Sequence, residues 1–440
     1  MSKTNYPIDK VRELQRALYR GAKRSATRRF HALYDKICRN DILQMAWKRV
    51  KGNRGVAGVD GQNIQDIEET GVDVFIDQIK QGLHEGRYRP QAVRRCWIEK
   101  PGKSEKRPLG IPAVRDRVVQ MAIKIVIEPI FEADFYPCSF GFRPKRSAHD
   151  ANEVIRQTAN KGYEWVVDTD IKNYFDTIDH GKLMAMVGKR ISDRRMLKLI
   201  RKFLKAGVLE DGQVRALTTG TPQGGVISPL MANIYLNYLD KIWMKRCQDI
   251  GILVKYADDL LILCRSKMKA QEALRRLNLV MGQLGLQLHP DKTRLVSLRN
   301  GQEGFDFLGF HHQKIRSWRY NKCYLQRWPG RKAVKAIRDK VRSVVGSRQG
   351  LHRSLKDVID QLNPILRGWG NYFAVGNSSR QFQKIDSYVQ ERLMLFLSKK
   401  HAKSGRGWGI RWRLINFRAK GLYYLSGTVR WHCYNVNAVG

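Results

Sequence analysis

Ile252-Leu253-Val254-Lys255-Tyr256-Ala257-Asp258-Asp259-Leu260-Leu261-Ile262-Leu263 sets two adjacent carboxylates between two apolar runs. Apolar runs of this length read as strands, so the pair sits at the tip of a hairpin, where burial alone would not put it. Such a pair calls for a cation. By itself an Asp-Asp turn is an ordinary polar turn; a second acidic strand changes that reading. Glu164-Trp165-Val166-Val167-Asp168-Thr169-Asp170-Ile171 carries Asp168 and Asp170 on one face by period-two alternation. Should the fold join Asp170 to Asp258, the carboxylates repel and resist ionisation unless a divalent metal lies between them. Oxygen ligands without His or Cys favour magnesium. Two such ions suit activation of an attacking 3′-hydroxyl and stabilisation of leaving pyrophosphate, the chemistry of nucleotide addition.

Outward from these strands the pattern is mixed. Val93-Arg94-Arg95-Cys96-Trp97-Ile98, the turn Lys100-Pro101-Gly102-Lys103 and Arg107-Pro108-Leu109-Gly110-Ile111-Pro112 predict a basic hairpin. Val118 to Phe131, Arg194 to Ala206 and Ser228 to Arg246 read as helices. Beyond about residue 312 the pattern changes to helices: Val334, Ile337, Val341, Val344 form one stripe, Leu355, Val358, Ile359, Leu362 a second, and Ile385, Val389, Leu393, Phe396 a third. Residues 1–40 predict a basic helical extension with Val11, Leu14 and Leu18 on one face, followed by a Gly-rich loop from Gly52 to Gly61. The expected fold class is α+β.

The 440 residues exceed one core, and 42% hydrophobic residues exclude a disordered chain. Lys and Arg number 82 against 40 Asp and Glu, a formal charge of +42, which makes nucleic acid the natural partner. The absence of an 18-residue apolar run or signal core argues against a membrane and predicts a cytoplasmic protein. Residues 311–440 hold 27 Lys and Arg and 5 Asp and Glu, a net +22. The last 40 residues interleave Arg406, Arg411, Arg413, Arg418 and Lys420 with Trp408, Trp412, Tyr423, Tyr424 and Trp431, a mix suited to gripping phosphates and stacking bases. The seven cysteines are scattered and read as small core residues rather than zinc or disulfide pairs.

The ordered blocks Lys100–Lys103, Arg107–Pro112, Ser139-Phe140-Gly141-Phe142-Arg143-Pro144, Asp170 with Phe175, Gly220-Thr221-Pro222-Gln223-Gly224-Gly225-Val226-Ile227-Ser228-Pro229, Tyr256–Asp259 and Phe307-Leu308-Gly309-Phe310 resemble the group II intron reverse transcriptase and maturase family over roughly residues 8–400. The resemblance implies a right-hand polymerase, with fingers and palm at 41–311, a helical thumb and maturase domain at 312–400, and a tail at 401–440. It assigns Asp170, Asp258 and Asp259 as ligands of two Mg2+ ions, with Asp168 and Asp176 as rivals for the first position. Lys100 and Arg107 would hold the incoming dNTP triphosphate, Phe175 would exclude a ribose 2′-hydroxyl, and Gln223 and Gly224 would lie under template and nucleotide. Lys292 would protonate departing pyrophosphate, and Phe307–Phe310 would seat the primer end. Arg367-Gly368-Trp369-Gly370-Asn371-Tyr372-Phe373 is the most recognisable thumb block.

The implied function is an RNA-directed DNA polymerase that binds group II intron RNA, assists its splicing and copies it into DNA on a DNA primer at a target site. Neither paired cysteines nor a His-Asn-His cluster follows residue 400, so no endonuclease is expected. Two alternatives stay open: a free-standing relative recruited for host DNA repair or phage defence, and a non-catalytic RNA-binding splicing factor, which the intact Asp170, Asp258, Asp259 set disfavours.

Overall fold

The computed structural model describes residues 7–99, 106–210, 212–215, 218–317, 321–346, 350–401 and 417–430, arranged as two compact units. The first comprises Met1–Ser147, Thr169–Ile262 and Gln271–Arg294. Its centre is the helix Val114–Glu132, whose apolar residues are nearly all buried. Pro7–Arg24 lies against it through Val11, Leu18 and Ala22, and Gln15 Nε2 donates to the Ile125 carbonyl at 3.0 Å. The basic side chains Arg12, Arg16, Arg20, Lys23 and Arg24 stay exposed, as the spacing of the apolar residues requires. Asn40–Gly52 packs on the same central helix.

Val93–Glu99 and Lys106–Ile111 pair antiparallel, with Ile98 opposite Arg107. They head a four-stranded sheet that continues through Val208–Glu210 to Gln213–Arg215. A second sheet has the order Gly251–Tyr256, Asp259–Cys264, Trp165–Asp170, Arg294–Ser297, so the two acidic strands found in the sequence are immediate neighbours. Arg194–Leu204 and Ser228–Arg246 are helices, as their periodicity predicts.

The second unit comprises Ala148–Asp168, Leu263–Ala270 and Leu295–Gly440. Here one expectation is corrected: the chain after residue 312 does not begin with helix. Gly304–Phe307, Phe310–Arg316 and Cys323–Pro329 form an antiparallel sheet. Phe307-Leu308-Gly309-Phe310 is its two-residue turn, with positive φ at Leu308 (48°) and Gly309 (82°) and both phenylalanines buried. The three expected helices follow as Arg331–Val345, Leu355–Phe373 and Ser379–Lys400, and their stripes meet in one core. Ser354 caps the middle helix in a capping box with Asp357.

Residues 417–430 dock onto this core through Phe417, Leu422 and Leu425, and Asp386 accepts from the Leu425 and Ser426 amides. Gly370 is required there: a Cβ would stand 2.6 Å from Leu425 Cδ2. Tyr423 and Tyr424, read as base-stacking groups, instead pack on the bundle, covered by Arg367 and Arg418 respectively. Arg406, Arg411, Arg413, Trp408, Trp412 and Trp431 lie outside the described residues. Cys38, Cys138, Cys247 and Cys264 are buried as expected, but Cys323 is exposed on its strand and Cys96 is half-buried. Among the described residues no helix is long and apolar enough to cross a membrane.

Candidate active site

Apart from Asp168, the candidate site residues described below belong to the first unit. Tyr256 ends one strand and Asp259 opens the next, leaving Ala257 and Asp258 as the turn. Ala257 adopts φ 56°, a left-handed conformation that costs a non-glycine residue about 1 kcal/mol. Ser139–Phe142 runs alongside and supports it. The Phe140 amide donates to the Lys255 carbonyl and the Lys255 amide to the Cys138 carbonyl, both at 2.8 Å. Asn233 Nδ2 donates to the Gly141 carbonyl at 2.9 Å. A Cβ on Gly141 would lie 2.4 Å from the Ala257 nitrogen, so only glycine lets the two backbones approach this closely. Arg143 ties the segment down by donating to Glu132 and to the Tyr136 and Ser139 carbonyls.

Asp170 ends its strand on the same face as Asp168, between the buried Val167 and Thr169 and the buried Ile171. Its carbonyl accepts from the His289 amide at 2.8 Å, and Thr169 Oγ1 meets Thr293 Oγ1 at 2.7 Å, which brings Lys292 alongside. The Lys292 ammonium pairs with Asp170 Oδ2. Asp170 Oδ1 is buried without a hydrogen-bond partner. Burial, and then the charge of Asp170, push the Asp258 carboxyl above its ordinary pKa, while Arg107 and Lys292 pull it down. Asp170, Arg107 and Lys292, three of the expected site residues, are therefore each within electrostatic reach of Asp258. Asp259, next in the chain, is exposed.

Among the described residues no three His, Cys, Asp or Glu side chains are gathered as a metal cage. The donors present still fit a hard divalent cation, because Asp170 Oδ1, buried without a hydrogen-bond partner, and the repelled Asp258 carboxylate are oxygen ligands. Asp176 has other company: Gln223 Nε2 donates to its Oδ2 at 3.2 Å, and the Arg95 charge acts on it. Asp168 falls in the second unit.

Phe175 follows the left-handed Asn173 (φ 49°) and stacks at a tilt on Tyr174, 5.5 Å between centroids. Tyr174 is buried with its hydroxyl donating to the Ala232 carbonyl, which anchors the turn to the helix Ser228–Arg246. The Phe175 carbonyl accepts from the Thr221 amide at 2.7 Å. Gly220 (φ 84°) fits against the Phe175 and Asp176 backbone, and Gly224 (φ 113°) against the Gly110 carbonyl, 2.5 Å from where its Cβ would be. The Gly110 amide donates to the Gln223 carbonyl at 2.6 Å. Thus the strand bearing Arg107, the turn bearing Phe175 and the segment bearing Gln223 and Gly224 are stitched by backbone contacts. Lys100 lies outside the described residues.

Sequence reasoning missed Asp240. It forms a fully buried ion pair with Lys255 at 2.8 Å, joining the helix Ser228–Arg246 to the strand that ends at the Asp258 turn. The available signal was Lys255 itself, a lone cation inside an apolar strand.

Residues 98–312 match the reverse transcriptase (RNA-dependent DNA polymerase) family model, and residues 334–414 match the group II intron maturase-specific domain. The chain is 43% identical over 214 residues to the group II intron-encoded protein LtrA of Lactococcus lactis subsp. cremoris, covering 48% of this chain and 35% of LtrA. It is 34% identical over 344 residues to protein YkfC of Escherichia coli K12, covering 70% of this chain and 88% of YkfC. It is 29% identical over 419 residues to an uncharacterised 91 kDa protein in the cob intron of Schizosaccharomyces pombe, covering 79% of this chain and 51% of that protein. The matched part is about a third of LtrA and about half of the S. pombe protein. With its α+β polymerase fold and the maturase-specific domain behind it, the chain belongs to the group II intron-encoded reverse transcriptase and maturase family.

Proposed function

We propose that this chain is an RNA-directed DNA polymerase that binds group II intron RNA, assists its splicing and copies it into DNA during intron mobility. The observation that supports the polymerase reading is that Asp170 ends the strand next to the one the Asp258 turn leads into, with Asp170, Arg107 and Lys292 all acting electrostatically on Asp258 and Lys292 paired with Asp170. Asp170, Asp258 and Asp259 would hold two Mg2+ ions. Held there, the metal would supply activation of the primer 3′-hydroxyl and stabilisation of the pyrophosphate leaving group. Arg107 places positive charge beside Asp258, where the dNTP triphosphate would lie, and Lys100 is the second residue that would hold that triphosphate. Lys292 carries an ammonium proton beside Asp170, available to the departing pyrophosphate. Gln223 and Gly224 offer close backbone approach to the base pair of template and nucleotide. The maturase role is supported by the matched maturase-specific domain and by the +22 charge of residues 311–440. The test is extension of a DNA primer annealed to an RNA template, stopped by EDTA and restored by Mg2+; no extension under any of these conditions would overturn the reading.

Phe175 is the proposed gate against ribonucleotides, fixed by Tyr174 on one side and the Thr221 amide on the other. Phe175→Ala is expected to raise ribonucleotide incorporation relative to deoxynucleotide about tenfold or more, the scale on which a pocket wall discriminates a single added group. Competition between dCTP and CTP opposite a template G checks it, and an unchanged ratio moves the gate elsewhere.

A further inference from the structure

The helix Arg194–Leu204 in the first unit has two faces of different chemistry. Met196, Leu199, Ile200, Phe203 and Leu204 are buried. Ile200, Phe203 and Leu204 line a small internal cavity together with Thr221, Pro222, Gly225 and Ile227, so the apolar face backs directly onto the Gly220–Pro229 segment. At 100° per residue, Arg194, Lys198, Arg201 and Lys205 fall within an arc of about 60° on the opposite side, and all four are exposed. Arg89 and Lys202 join them to line an open groove, with Lys202 Nζ donating to the Tyr88 carbonyl at 2.8 Å. Burial, then Arg89 and Lys198, hold the Lys202 ammonium below the usual lysine pKa.

Among the described residues no acidic side chain lines this groove, and none of its six cations makes an ion pair. Some cations elsewhere on the surface are paired: Arg87 with Glu85, and Arg275 and Arg276 with Glu272. Six crowded like charges without an internal counter-charge repel one another, and a polyanion relieves that repulsion. The row from position 194 to 205 spans eleven residue steps, about 16.5 Å at 1.5 Å per residue, the length of roughly five phosphates along one strand of a duplex.

We propose that Arg89 and the basic face of Arg194–Lys205 form a phosphodiester-binding surface for a duplex nucleic acid, on the side of this helix away from the Pro222–Gly225 turn. The surface is independent of the catalytic carboxylates. It grips the backbone without reading sequence, because every contact it offers is a cation for a phosphate.

The test compares wild type with the combined variant Arg194→Gln, Lys198→Gln, Arg201→Gln, Lys205→Gln, which keeps helix-compatible residues at exposed positions. Affinity for a hairpin RNA and for a DNA duplex of equal length is measured against salt by fluorescence anisotropy, beside the melting temperature and single-turnover extension of a saturating short primer-template. We expect the log-log salt slope to fall by about 3.6 for the polymer the surface serves, near 0.9 for each of four lost phosphate contacts. Affinity at low salt should drop at least tenfold, with melting temperature and extension rate unchanged. Whichever polymer shows the loss is the ligand. Unchanged slopes for both polymers would overturn the proposal, and so point to a protein partner or a merely solvated face; parallel loss of extension would overturn it by placing these residues in the polymerase cleft. Should the fourfold variant melt early, Lys198→Gln with Arg201→Gln is expected to give half the slope change, and an unchanged slope in that pair overturns the proposal equally. Because wild-type extension is recorded in the same experiment, failure of this surface is distinct from failure of the polymerase assignment.

Discussion

Asp258→Asn is expected to slow primer extension at least about 10³-fold, the equivalent of roughly 4 kcal/mol of transition-state stabilisation. The amide has the shape of the carboxylate, so packing in the turn survives, but it bears no charge and cannot balance a divalent ion against Asp170. RNA affinity should stay within about twofold, since electrostatic binding follows phosphate contacts made elsewhere. Stability should not fall either. The folded state raises the Asp258 pKa by burial and by repulsion from Asp170, so the ionised form opposes folding above the unfolded-state pKa. At neutral pH, removal of that charge is expected to leave the melting temperature unchanged or higher. The measurement is single-turnover extension over a Mg2+ titration, with thermal melting of the same protein. A rate close to wild type would sink the site assignment, and a large fall in melting temperature would show that the carboxylate is structural.

The elements readable in the sequence are those whose pattern is local. Asp258 stood out because carboxylates interrupt two apolar strands; alternation put Asp168 and Asp170 on one face of a second strand, and the family resemblance, not spacing, singled out Asp170. The three helical stripes after residue 330 needed only their own spacing. The strands Phe310–Arg316 and Cys323–Pro329 were illegible because the period-two signal is carried by polar residues whose partners are distant. His312 is fully buried, its pKa pushed down to about 3 by burial and Arg327, and it meets Asn152 Oδ1 at 2.9 Å. Lys314 is buried against Glu164 at 2.6 Å, and Arg327 against Glu153 at 3.2 Å. A hydropathy pattern reads such residues as surface, whereas the fold satisfies them inside. Gly141 shows the same limit from the other side. It reads as a turn glycine, and its actual requirement, room for the Ala257 backbone, exists only once two segments more than a hundred residues apart have met.

Lys255 is the other position where one change should have a large effect. Its ammonium and the Asp240 carboxylate are both fully buried and 2.8 Å apart, so each is the main compensation for the other's lost hydration. Lys255→Met keeps the length of the side chain but strands the carboxylate, which has a buried Oδ1 already lacking a partner. The expected cost is about 3–5 kcal/mol in urea or thermal unfolding. Asp240→Leu alone should cost a similar amount by stranding the ammonium. The double variant, with neither charge, is expected to recover to within about 1 kcal/mol of wild type, because an apolar pair of similar volume needs no hydration replaced. The coupling also reaches chemistry: Lys255 directly precedes Tyr256, and its amide and carbonyl hold the Cys138–Phe140 segment that supports the Asp258 turn. The single variant should therefore lose extension activity at temperatures where it is still folded, while the double variant regains it with stability. Additive losses across the four proteins would mean that the two side chains are not coupled, and that packing alone fixes the strand.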